Sequence, residues 1–270
     1  MTPDEPVLVP SQKSLHLPRI LCLHGGGTNA RIFRAQCRAL VNHLRTEYRF
    51  VFAQAPFASN CGSDVLAVYS QCGPFRRWLR WRREHPEIAP QDAVAAIDES
   101  LSAAIRDDDC AGYTGEWIAI LGFSQGAKVA ASLLYRQQTR GFQDDPLPRF
   151  RFGILLAGQG PLVSLDVNSG AMGCSGLPDA GQITDMRFAN EVTWRGEGKG
   201  NTLRTPTLHV HGLRDPGLEH HLVLFEDFCD RETRKVVEWD GDHRVPLKYK
   251  DVSLVAEKIR ELARKTGLDC

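Results

Sequence analysis

The chain has 270 residues, with 33 basic and 33 acidic side chains that cancel to no formal net charge, and 42% of it is apolar. A chain of this length buries a sizeable core, as one large domain or two small ones. The neutral balance, with no sustained basic stripe, excludes the electrostatic footprint of a nucleic-acid binder. No apolar run reaches the ~18–20 residues needed to cross a bilayer.

Residues 1–18 mix proline, acid and serine without a basic head and apolar stretch, and read as an N-terminal extension rather than a secretory signal. The terminal Leu268-Asp269-Cys270 fits neither a prenylation box nor a peroxisomal address, so a cytoplasmic protein is expected. The eight cysteines are scattered with no C-x-x-C and read as reduced; a Cys61–Cys72 bridge would require an oxidising compartment.

In chain order, β-rich apolar runs predict strands at Arg19–His24, Phe50–Gln54, Trp117–Gly122, Phe152–Leu156 and Thr207–His211, with a weaker one at Lys235–Trp239. Runs without alternation, such as Trp117 to Leu121, must be buried on both faces. Between them, Phe33, Cys37, Leu40 and Leu44, then Val94, Ile97, Leu101 and Ile105, then Val252, Val255, Ile259 and Leu262 repeat at helical spacing. This alternation predicts an α/β fold: a mostly parallel sheet of about six strands with helices on both faces, in a single domain over residues 19–270. Two stretches break the rhythm, 58–90 and 158–206, and are expected to form a small lid or pocket loops.

Gly122-Phe123-Ser124-Gln125-Gly126 lies directly after a buried strand and directly before a helical pattern. The bare G-x-S-x-G pattern is common; the strand–turn–helix setting gives it meaning, because the sharp turn that exposes a nucleophilic serine needs neighbours without a Cβ. A serine hydroxyl is weak at neutral pH and needs a general base, itself oriented by an acid. In the chain order nucleophile, acid, histidine, Asp215 follows the Thr207–His211 strand and His243 follows Lys235–Trp239. Asp185 is the alternative acid, while Asp240 and Asp242 read as loop formers. His209 and His211 share a strand face, but no third ligand has matching spacing, so no metal and no cofactor are expected. His220 and His221 read as surface residues.

The first strand runs into His24-Gly25-Gly26-Gly27, where glycines let the backbone approach a substrate oxygen. The backbone N–H groups of Gly26, preferred over Gly27, and of Gln125 at a helix start are the expected oxyanion donors. A phosphate cradle is disfavoured by the lack of G-x-G-x-x-G and of a Walker lysine.

These residues together resemble the fungal serine hydrolase (FSH) family of α/β-hydrolases. The resemblance runs through Leu21-Cys22-Leu23-His24-Gly25, Ile32-Phe33-Arg34, Ala55-Pro56-Phe57, Gly73-Pro74-Phe75, Ile120 to Gly126 and Pro206 to Gly212. It is similar above all to members encoded in polyketide clusters of the lovastatin and citrinin type. The resemblance implies a triad of Ser124, Asp215 and His243, and hydrolysis of an acyl thioester on the phosphopantetheine arm of an acyl carrier protein. Gly27, Phe33, Phe75 and Trp78 are the candidate substrate contacts. The chain departs from the family in Phe75 to Arg83, which holds five arginines. Two readings of that segment stay open. In one, Phe75, Trp78 and Trp81 wall a pocket and the arginines face an acidic carrier or a substrate carboxylate; in the other, it is a helix with buried aromatics and solvated arginines.

Overall fold

The computed structural model describes residues 12–140, 145–166, 176–183 and 200–268. After a short helix α1 (Gln12–Leu15), the elements are β1 (Arg19–Leu23), α2 (Ala30–Gln36), α3 (Arg38–Leu44) and β2 (Arg49–Ala53). Then come β3 (Phe57–Ala58), α4 (Ser63–Tyr69), β4 (Arg76–Arg77), α5 (Pro90–Cys110), β5 (Trp117–Phe123) and α6 (Gln125–Arg140). The chain closes with β6 (Phe152–Leu156), β7 (Thr207–Gly212), α7 (Leu218–Phe228), β8 (Arg234–Trp239) and α8 (Tyr249–Lys265).

Six strands form one sheet in the order β2-β1-β5-β6-β7-β8, every neighbouring pair parallel. Strand side chains alternate between two cores. Ile20 and Cys22 of β1 join Phe33, Leu40, Val255 and Ile259 from α2, α3 and α8, whereas Leu21 and Leu23 join Val94, Ile97 and Leu133 from α5 and α6. Both faces are covered, which is why the central strands read as unbroken apolar runs.

From β1 the chain first goes outward to β2, then crosses back to β5 on the other side of β1. Neighbouring strands that depart in opposite directions leave a crevice at their carboxyl ends, the usual ligand position in an open α/β sheet. The loop after β1 and the turn after β5 both open there.

The first irregular stretch is tied to the body. β3 and β4 pair antiparallel, with Phe57 opposite Arg77, and the Arg76 backbone exchanges hydrogen bonds with the loop after β1. This corrects the helical reading of 76–83: Arg76 and Arg77 are strand, and residues 78–83 are turn and coil. In the second stretch, Leu162, Val163, Leu165, Ala180 and Leu203 are buried in the α5–α6 core. The end of the N-terminal extension is also fastened, since Thr114 N–H donates to Leu15 O and Arg49 N–H to Pro18 O. Cys61 and Cys72 are both free thiols. Among the described residues, no helix is long and apolar enough to cross a membrane.

Candidate active site

β5 passes to α6 through one residue, Ser124, whose φ is +52°. A side chain in the left-handed region is strained and persists only where its surroundings enforce it. Here close approach enforces it. A Cβ at Gly122 would lie 2.3 Å from Gly126 O, and one at Gly126 would lie 2.2 Å from Leu23 O, so only glycine lets strand, helix and β1 meet. The Ser124 N–H donates to Leu156 O at 2.8 Å, fixing the turn to β6.

Asp215 stands in the loop after β7 and His243 in the loop after β8. The two loops are locked together, because Leu213 N–H donates to Trp239 O and Arg214 N–H to Gly241 O. Asp215 Oδ1 accepts from Gly217 N–H at 2.8 Å, and Oδ2 accepts from His243 Nδ1 at 2.6 Å. A carboxylate acceptor places the imidazole proton on Nδ1, so Nε2 presents its lone pair to Ser124 Oγ, 3.0 Å away. Burial pushes the Asp215 pKa up, but the hydrogen bond and charge of His243 and the Gly217 N–H outweigh it and hold the carboxyl below its ordinary value. The His243 ring leans on Phe123, with centroids 5.1 Å apart.

The loop after β1 is organised by His24, which is fully buried. Ala55 N–H donates to His24 Nε2 at 3.1 Å, so the proton sits on Nδ1, 2.8 Å from Gly25 O. Burial lowers the His24 pKa to about 4, which keeps the ring neutral. Residues 76–79 strap this loop to the serine turn. Arg76 O accepts from Gly27 N–H at 2.9 Å, Arg76 N–H donates to Thr28 O at 2.7 Å, and Trp78 Nε1 donates to His24 O at 2.8 Å. The Gln125 side chain completes the strap. Its Oε1 accepts from Trp78 N–H and Leu79 N–H at 2.8 and 3.2 Å, and its Nε2 donates to Leu79 O at 3.1 Å. Among the described residues, nothing accepts from the Gly26 N–H or the Gln125 N–H.

Gly27 has its N–H committed to Arg76 O. Phe33 is fully buried and stacks on Phe123, with centroids 6.2 Å apart, and Trp78, itself part of the strap, is fully buried. They shape the site from behind. Phe75 is half-buried, at the edge of the strap.

Asp240 and Asp242 pair with Arg214 and Arg244 at the surface, and Asp185 lies outside the described residues. His209 and His211 are buried in β7. His221 is not a surface residue: it is fully buried, with Nε2 3.6 Å from Asp215 Oδ2. Sequence reasoning missed it and the Gln125 side chain. The one available hint was a pair of consecutive histidines on a helix opening just after Asp215, which does not say which of the two turns toward the acid.

A doubly covered parallel sheet, with a strained serine at its switch point backed by histidine and aspartate, defines an α/β-hydrolase. The chain belongs to the family described as "Serine hydrolase (FSH1)", whose profile matches residues 14–255. It is 66% identical over 258 residues to the esterase claE of Penicillium crustosum, covering 94% of this chain and 96% of that protein. It is 58% identical over 260 residues to the esterase citA of Monascus ruber, covering 94% and 95%. Among solved structures, an uncharacterised protein from Bacillus cereus ATCC 10987 shares the fold at a TM-score of 0.50 and 15% identity, over 98% of this chain and 64% of that one.

Proposed function

We propose that the chain hydrolyses an acyl thioester, releasing or editing a polyketide chain carried on an acyl carrier protein in fungal secondary metabolism, in the cytoplasm. The observation that carries the chemical half of this reading is the lone pair of His243 Nε2, 3.0 Å from Ser124 Oγ and oriented by Asp215. Ser124 attacks the acyl carbonyl and His243 takes its proton. The tetrahedral oxyanion is met by the Gly26 and Gln125 N–H groups. The thiolate leaves with the proton from His243, and water, activated by the same imidazole, then hydrolyses the acyl-serine. The substrate half rests on the family resemblance alone.

A second reading, a carboxylesterase for small esters, is favoured by the names of the relatives, which are esterases. The same groups serve both, because a site of this kind sets the chemistry and its pocket sets the acyl group. The test is intact-protein mass and product release with a short and a polyketide-like N-acetylcysteamine thioester and a simple ester, with Ser124→Ala as control. Preference for the long thioester, with the adduct lost in Ser124→Ala, supports the proposal. Equal or better turnover of the simple ester supports the carboxylesterase. An unlabelled wild-type Ser124 with no turnover of any would leave a binding scaffold.

A further inference from the structure

Asp215 faces two imidazoles. On one side is His243; on the other is His221 of α7, fully buried. The 3.6 Å from His221 Nε2 to Asp215 Oδ2 is too long for an N–H···O hydrogen bond. Neither ring nitrogen of His221 has a hydrogen-bond partner. A neutral imidazole shut away from water with both nitrogens unused costs stability, and such groups call for an explanation. One donor atom each from Asp215, His221 and His243 lies within 4.8 Å of the other two.

We infer that Asp215, His221 and His243 form a site for a zinc-class divalent ion, whose binding switches the hydrolase off. Two imidazoles and a carboxylate are a ligand set that zinc accepts, whereas magnesium and calcium prefer oxygen donors alone. With bonds of about 2.0–2.2 Å, neighbouring ligands on a tetrahedral ion stand about 3.3–3.5 Å apart. The His221–Asp215 distance of 3.6 Å is already close to that, and the His243–Asp215 distance of 2.6 Å must open slightly. The His243 side chain is 28% exposed, the most open of the three, and a water would complete the tetrahedron as the fourth ligand.

The switch follows from proton placement. The aqua ion exchanges three waters for the three protein donors and gives up the rest but one as it becomes four-coordinate, and no electrons move. The ion takes the Nδ1 lone pair of His243, so the single proton of the neutral ring moves to Nε2. Ser124 Oγ then faces an N–H instead of a lone pair, and the serine loses its base. His221 binds through Nε2 and keeps its proton on Nδ1. The inhibitory half of this inference rests on the catalytic reading of Ser124 and His243; the metal site does not.

The test combines binding and turnover on the metal-free full-length protein. Co2+ titrated as a spectroscopic stand-in for Zn2+ should give ligand-field bands without a thiolate charge-transfer band, equally in wild type and Ser124→Ala. His221→Phe should weaken binding at least about tenfold, and His221→Gln, which keeps a polar group there, should also weaken it. Zn2+ should inhibit ester hydrolysis by the wild type, EDTA should restore it, and Mg2+ should do nothing. Equal affinity in wild type and both His221 variants, or a thiolate band, would overturn the site. Tight binding at the site with undiminished turnover would overturn the switch. A wild type that binds Co2+ as expected but turns over no substrate would uphold the site and count against the hydrolase reading.

Discussion

One carboxylate at the centre of the site has its two oxygens assigned to different tasks. Oδ1 of Asp215 accepts from Gly217 N–H and fixes the side chain; Oδ2 fixes the tautomer of His243. Asp215→Asn would preserve the shape but offer an N–H or a weak acceptor to Nδ1, so the base would spend most of its time in the wrong tautomer. We expect kcat to fall by about 10⁴ with little change in KM, as for other triads. A drop of only a few-fold in steady-state kinetics would place the orienting acid elsewhere. Ser124, Asp215 and His243 could all be picked out of the sequence, because a five-residue motif marks the first and chain order marks the others. His221 could not be assigned so directly. Whether a helical histidine points outward or toward an acid depends on the register of α7 against β7, which no local pattern states.

Among the elements, the strap at residues 76–79 was the least legible. Phe75, Trp78 and Trp81 recur every three residues and mimic a helix face, yet no helix forms there. The backbone groups of Arg76 are committed to Gly27 and Thr28, and those of Trp78 and Leu79 to the Gln125 side chain. Long-range hydrogen bonds, invisible to periodicity, override the local pattern. The sheet strands were legible for the opposite reason: burial on both faces writes itself into consecutive apolar residues. Gln125→Leu tests the strap. It removes three hydrogen bonds and leaves the Trp78 and Leu79 N–H groups unpaired, at a cost of about 1–3 kcal/mol each where buried. We expect a lower melting temperature together with a lower kcat, since the loop carrying Gly26 loses its brace. An unchanged kcat in a destabilised protein would separate the strap from catalysis.

At the scale of the molecule, neutral histidines in the core make the fold acid-sensitive. Burial lowers the pKa of His24 from 6.5 to about 4, and that of His209 well below 6.5. A histidine whose folded pKa is depressed stabilises the fold fully above its unfolded pKa, and that contribution is lost as pH falls toward the folded value. For His24 the window runs from 6.5 down to about 4. Its worth is about 3 kcal/mol, at roughly 1.4 kcal/mol per pKa unit. Urea midpoints measured from pH 7.5 downward should hold steady and then decline below about 6.5; a flat profile to pH 5 would contradict neutral buried rings. The same architecture bears on how such proteins diversify. The pieces at 24–28, 76–79 and 122–126 come from three separated parts of the chain, yet each closes hydrogen bonds that another opens. A graft that brings in one of them from a relative inherits mismatched neighbours. These segments must be exchanged as a set, because a change in any one of them leaves hydrogen-bonding groups of the others without their partners.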